Sequence, residues 1–216
     1  MTDIILALDP TSRTEAIRIA EAAAPHIDAI KIGYPLVLAE GLGVVRELEH
    51  LNLPLIADFK VADIPNTNKL ITELVFSAGF QGIICHGFPG PDSVEACVEV
   101  AHTHHGECYV VAEMSHPGGA TFFQGGIAEQ IAAFVHTTGA DGIIAPATRP
   151  ERTRILREII GTKKILSPGV GAQGGDPHAI AGIVDGIIVG RAIYESADPA
   201  AAAAEYESVR QKQYVS

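Results

Sequence analysis

"AGFQGIICHG" (residues 78–87) recurs in outline twice more along the chain, as "TGADGIIAPA" (residues 138–147) and "IVDGIIVGR" (residues 183–191). Each copy passes from a helical stretch through a polar residue and Gly into Ile-Ile, then stops on a small or chemically active residue. An apolar run without polar alternation suits a parallel strand buried on both faces. Working outward from these units, strands are expected at residues 4–8, 29–33, 54–58, 82–86, 108–114, 142–146, 164–168 and 186–190. Amphipathic or Ala-rich helical patterns lie between or after them, at residues 14–24, 67–78, 93–104, 129–137, 150–160 and 200–209. Eight evenly spaced strands alternating with helices predict an α/β fold, a closed (β/α)8 TIM barrel, over an open doubly wound sheet. With no linker or low-complexity tract, residues 1–216 read as one domain.

The bulk composition narrows the function. Apolar residues make up 47% of the 216 positions and aromatics only 6%, so the core should be aliphatic. Lys plus Arg number 15 against 26 Asp plus Glu, a formal charge of -11, which argues against a nucleic-acid surface. A small anionic substrate remains compatible, because a local basic pocket can outweigh the global field. Cys85, Cys97 and Cys108 form no CxxC spacing and read as reduced thiols. No basic n-region precedes a long apolar stretch, and no run approaches the roughly 18–20 residues of a membrane helix. The expectation is a soluble, cytoplasmic protein.

In such barrels chemistry gathers at the C-terminal ends of the strands. Those ends carry Asp9, Lys31, Asp58 with Lys60, His86, Glu113 with Ser115, Pro146, Pro168 and Arg191. "LIADFKVADIPNT" (residues 55–67) is the densest of them. In an extended segment residues i and i+2 share a face, so Asp58 and Lys60 should point into the mouth together, with Phe59 packed behind and Lys31 at comparable height on the second strand. Asp63 falls beyond the strand, on a loop. Alternating ammonium and carboxylate keep one another charged. An ordinary ion-pair network closing the barrel is the plain structural alternative for an isolated Asp-x-Lys; Lys31 and Asp63 weigh against it. "AHTHHGE" (residues 101–107) gathers three histidines, but it ends a helix at the expected bottom of the barrel and matches no firm zinc spacing. It reads as a solvated face.

Asp-x-Lys-x-x-Asp after the third strand resembles the signature of the orotidine 5'-phosphate decarboxylase superfamily. "KIGYPL", "ADFKVADIPNTN", "HGFPG", "EMSHPG", "ATRPE", "SPGVGAQGGDP" and "IIVGRAIY" extend the likeness nearly end to end, and resemble the short, archaeal-type orotidine 5'-phosphate decarboxylases. Ala147 departs from that pattern, where relatives often carry Ser, without touching the catalytic set. The resemblance implies loss of CO2 from C6 of orotidine 5'-phosphate to give UMP, the last step of de novo pyrimidine biosynthesis, with no cofactor and no metal. It implies Lys60 as the cation and acid at C6, Asp58 beside the departing carboxylate, and Lys31 and Asp9 near the ribose hydroxyls. Asp63 would complete the array in the partner's site of a homodimer, with Ile64 and Thr67 near the ring and the dimer contact.

The phosphate needs its own grip. Gly-rich loops after the seventh and eighth strands often supply one in barrels. Here Gln173, Gly190 and Arg191 are the donors expected, and Arg191 suits a bidentate contact. Val170, Gly171, Ala172, Gly174, Gly175 and Asp176 are expected to form a lid around Gln173. Ser115 is the expected partner of the pyrimidine edge, and Pro168 an apolar wall of its pocket.

Three other readings stay open at this level. The Mg²⁺-dependent 3-keto-gulonate 6-phosphate decarboxylase and hexulose-phosphate synthase of the same superfamily typically have a glutamate where Lys31 stands. A non-catalytic phosphate-binding barrel would keep the phosphate grip while losing part of the array. An isomerase or epimerase would have no use for two lysines beside Asp58.

Overall fold

The computed structural model describes residues 1–210. Eight parallel strands close in sequence order, each bonded to the next and β8 bonded back to β1. They are β1 (Asp3–Leu8), β2 (Ala29–Gly33), β3 (Leu55–Val61), β4 (Gly82–His86), β5 (Glu107–Val111), β6 (Gly142–Ile144), β7 (Lys164–Pro168) and β8 (Gly186–Val189). Helices Arg13–Ala23, Pro65–Ser77, Pro91–Thr103, Ile127–Thr138 and Pro150–Ile160 are the longer ones outside the ring. Two short helices absent from the expectation, Tyr34–Glu40 and Val44–Leu48, follow β2.

The absence of polar alternation has a direct explanation, since both strand faces are buried. Ile4, Leu6, Leu8, Ile30, Ile32, Ile83, Cys85, Ile143, Ile165, Ile187 and Val189 face the helices in the large outer core. Ile5, Ala7, Ala29, Ile56, Ile84, Tyr109, Val111, Ile144, Leu166 and Ile188 fill the barrel itself. Register then decides which later residues face the axis. Ala7 pairs with Lys31 and Lys31 with Ile56, so the Lys31 side chain rises from the inner layer.

Three details differ from the expected pattern. β5 ends at Val111 rather than 114, because Glu113 turns into a buried ion-pair network instead of continuing the ladder. The Ala-rich C-terminal segment is two short helices, Pro199–Ala204 and Glu207–Arg210, broken at Glu205 and Tyr206. Most consequentially, β3 is irregular: Ala57 pairs with Ile83 and Val61 with Cys85, so four steps along β3 match two along β4. Lys60 sits at φ 46°, a left-handed conformation unusual for a side chain of its length. Among the described residues, no helix is long and apolar enough to cross a membrane.

Candidate active site

The irregularity in β3 places the charged side chains. Strict alternation would aim Asp58 and Lys60 inward side by side; the bulge instead folds Lys60 back toward its neighbour. Asp58 Oδ1 accepts from Lys60 Nζ at 2.6 Å, and Asp58 Oδ2 accepts from Lys31 Nζ at 2.6 Å. Phe59 packs behind, as expected, stacked on Tyr34 at 5.0 Å and edge-on to Phe80 at 5.8 Å. Strained backbone of this kind persists only where surrounding contacts hold it, and it concentrates at functional sites.

Burial by itself would push the Asp58 carboxyl up. The charges and hydrogen bonds of Lys31 and Lys60 outweigh it, so Asp58 is held below its ordinary value. Lys31 is 6% exposed, whereas the Lys60 side chain is 38% exposed and opens onto a cavity of about 330 Å³ at the C-terminal mouth. One anionic carboxylate thus orients two ammonium groups, one deep and one presented to whatever fills the cavity.

Around this cavity the fold assembles residues from distant parts of the chain. Asp9, Ser115, Pro168, Val170, Ala172, Gln173, Gly190 and Arg191 line it together with Lys31, Asp58 and Lys60. Asp9 abuts β2 so closely that a Cβ at Gly33 would lie 2.8 Å from its Oδ1. The loop after β7 is folded over the mouth: Gly171 N–H donates to Gly175 O at 3.1 Å and Gly174 N–H to Gly171 O at 2.7 Å. Gly171, Gly174, Gly175 and Asp176 shape that loop without lining the cavity. Asp176 instead accepts the His178 N–H at 2.8 Å. Ser115 Oγ donates to Gln173 Oε1 at 2.9 Å, tying β5's exit to the loop. Met114, His116 and Tyr194 also line the cavity and went unrecognised in the sequence, although two of them flank Ser115 in "EMSHPG".

Asp63, Ile64 and Thr67 are not brought to this cavity within one chain. Asp63 N–H donates to Asn68 Oδ1 at 3.0 Å, and the Asp63 carbonyl accepts from Ser93 Oγ at 2.8 Å. Its carboxylate caps the Ile64 N–H at 2.7 Å. Ile64 is 65% exposed, and Leu70 and Leu74 on the following helix are exposed as well. The three histidines of "AHTHHGE" take separate paths: His102 meets Asp141, His104 meets Glu73, and His105 lines a pocket at the opposite end of the barrel. Cys85, Cys97 and Cys108 are free and buried.

His86, at the end of β4, lies outside this cavity and lines a neighbouring pocket with Phe88, Phe122 and Phe123. Its Nδ1 accepts the Phe88 N–H at 3.3 Å, and its ring packs 5.6 Å from Phe123. Burial and then the nearby Lys60 charge pull its pKa below the ordinary value. Between about pH 6.5 and that lower folded value, the unfolded chain binds more protons, so stability declines as pH falls through this window. His86→Asn is expected to flatten that part of a melting-temperature-versus-pH curve. Superimposable pH dependences for the two proteins would show that His86 is not the group responsible.

Comparison with known proteins bears on the whole chain. The family model of the Orotidine 5'-phosphate decarboxylase / HUMPS family matches residues 2–206. Orotidine 5'-phosphate decarboxylase of Methanococcoides burtonii is 56% identical over 202 residues, covering 93% of each chain. The crystal structure of orotidine 5'-monophosphate decarboxylase from Methanocaldococcus jannaschii complexed with inhibitor BMP superposes with a TM-score of 0.94 at 44% identity. It covers 98% of this chain and 100% of that one. That of the Pyrococcus horikoshii enzyme gives 0.88 at 41% identity, covering 97% and 100%. A match this long, this similar and this complete in both directions leaves one assignment: the chain belongs to the orotidine 5'-phosphate decarboxylase / HUMPS family.

Proposed function

We propose that this chain converts orotidine 5'-phosphate to UMP and CO2, using no metal and no organic cofactor. The observation that carries the reading is the Lys31–Asp58–Lys60 array, two 2.6 Å contacts on one carboxylate, opening into a cavity that Arg191 and Gln173 also line. In the reaction the C6–carboxylate bond breaks, CO2 departs, and the bonding pair stays on C6. Lys60 Nζ faces that developing charge and then gives C6 its proton, to be reprotonated from solvent. Charge fixed in place beforehand stabilises the carbanion without reorganisation during the step. Asp58 holds Lys60 in position, while Lys31 and Asp9 take the ribose hydroxyls.

At the other end Arg191 and Gln173, with the Gly190 backbone, grip the phosphate. Ser115 meets the pyrimidine edge, and Pro168 offers it an apolar wall. Closure of the loop from Val170 through Gly171, Ala172, Gly174 and Gly175 to Asp176 converts remote binding energy into assembly of the reacting end. The active form is a homodimer with Asp63 reaching the partner's cavity. Support for this comes from the exposed stripe Ile64, Leu70 and Leu74 beside Asp63 and Thr67, an apolar surface of the kind that marks protein contacts. The setting is the cytoplasm, in pyrimidine nucleotide synthesis.

The Mg²⁺-dependent sugar-phosphate reading is disfavoured by Lys31, whose ammonium occupies the Asp58 Oδ2 side that a divalent cation would have to share. Turnover of orotidine 5'-phosphate in D2O tests the proposal. The expected product is UMP with one deuterium at C6, released with one equivalent of CO2. No UMP from folded protein would overturn it.

A further inference from the structure

The stretch "KIGYPL" (residues 31–36) supplies Lys31 to the charged array and leaves Tyr34 without a part in it. Tyr34 opens the short helix Tyr34–Glu40 directly after β2, with Gly33 as its N-cap and Pro35 in its first turn. Gly33 pairs with Asp58 across the sheet, so the turn out of β2 begins level with the central carboxylate. There the Tyr34 ring stacks on Phe59, with centroids 5.0 Å apart and planes 13° from parallel. Phe80, just ahead of β4, meets Phe59 edge-on at 5.8 Å and 75°. Phe59 and Phe80 are buried, whereas Tyr34 is 49% exposed.

Phe59 is the residue between Asp58 and Lys60. Its side chain packs in the outer core, while its two neighbours line the cavity. Between Ala57 and Val61 the ladder joining β3 to β4 is interrupted, and Lys60 at φ 46° lies inside that interval. Where ladder bonds do not fix a backbone, side-chain packing has to. Phe59, held by one ring from the exit of β2 and another from ahead of β4, supplies that packing beside the strained residue. A stacked aromatic pair stabilises by an amount comparable to the cost of one residue in a sparsely populated backbone region. Burial and then the Asp58 charge push the Tyr34 phenol up, so the ring also stands within the field of that carboxylate.

We infer that Tyr34 is a positioning residue for Lys60: its ring, stacked on Phe59, holds the irregular segment of β3 in the conformation that sets the Lys60 ammonium against Asp58 and toward the cavity. This rests on the decarboxylase reading above and deepens it, by giving the strained backbone at Lys60 its support. Tyr34 is not among the residues lining the cavity and touches no reacting atom.

The test is decarboxylation of orotidine 5'-phosphate by Tyr34→Ala and Tyr34→Phe, with UMP affinity measured alongside. Loss of the ring should lower kcat by about 10- to 100-fold, since slight displacement of a reacting group has effects of this order. KM and the affinity for UMP should stay within about threefold of the parent, because the groups that grip phosphate and pyrimidine are untouched. Tyr34→Phe keeps the stack and should retain at least about half of the parental kcat. A purely structural role would lower the melting temperature of Tyr34→Ala and leave kcat unchanged. That result, a loss carried by KM, or an equal loss in Tyr34→Phe would each overturn the inference.

The exposure of Tyr34 makes Tyr34→Ala a variant expected to fold. Phe59→Leu is the second probe: it keeps an apolar side chain in the outer core, removes the stack, and should reproduce the fall in kcat. Tyr34→Ala/Phe59→Leu should lose less than about threefold beyond the worse single variant, because both act through one contact. Additive losses would overturn the inference. Failure of both single variants to fold would make the stack a folding requirement and would equally overturn a positioning role. If the unsubstituted protein produced no UMP, the decarboxylase reading itself would be at fault. An active parent with unaffected variants would remove this inference alone.

Discussion

Lys60→Ala should reduce turnover of orotidine 5'-phosphate by at least about 10⁴-fold, from the combined loss of a positioned proton donor and of preorganised charge. Its Nζ is held 2.6 Å from Asp58 Oδ1 at the end of a backbone kink with no other evident purpose. Lys31, deeper and bound to Asp58 Oδ2, cannot substitute for it without abandoning that contact. UMP is the suitable probe for binding, since it lacks the carboxylate that an under-compensated Asp58 would repel. Its affinity should change by less than about tenfold, because Arg191, Gln173 and Ser115 remain in the cavity. Calorimetric titration alongside single-turnover assays separates the two quantities. Turnover near that of the parent would remove Lys60 from the role assigned to it.

Mixing Asp63→Ala protein with Lys60→Ala protein should restore activity that neither shows alone. In a two-fold dimer with Asp63 crossing the interface, a hybrid carries one site free of both changes. Random exchange of equal amounts then regenerates about a quarter of the parental sites, by statistics of a closed two-fold assembly. The geometry motivates the experiment. Asp63 lies outside its own chain's cavity, its backbone tied to Asn68 and Ser93, on a ledge beside exposed Ile64, Leu70 and Leu74. Subunit exchange is followed by mass spectrometry of differently tagged chains. Exchange without recovered activity would confine Asp63 to its own subunit.

Much of this architecture was legible in the sequence, for identifiable reasons. Parallel strands buried on both faces announce themselves as short apolar runs bounded by Gly or Pro, so β2, β4 and β7 coincide with their expected bounds, and every other strand was placed within a few residues. Strand exits then pointed to Asp9, Lys31, Asp58, Lys60, Ser115, Pro168 and Arg191, all of which line one cavity.

What escaped was conformation without a compositional signal. Nothing about Lys60 as a residue type forecasts φ 46°, because lysine gains nothing locally from that conformation. The contacts around it impose the kink. The short helices Tyr34–Glu40 and Val44–Leu48 are too brief for a periodic pattern to stand out. The Glu113–Arg149 pair spans 36 residues, and only the pairing of β5 with β6 brings their exits together. His116 and Tyr194 belonged to motifs already noted, yet nothing in spacing alone separates a cavity-facing side chain from its neighbours.

In the proposed reaction, charge fixed by Asp58 between two lysines acts without a metal ion. The most direct measurement is the ultraviolet change of orotidine 5'-phosphate mixed with purified protein in excess EDTA. Full conversion to UMP is expected, at a rate unaltered by EDTA or by added Mg²⁺. Absence of conversion by folded protein, or activity appearing only when Mg²⁺ is restored, would contradict it.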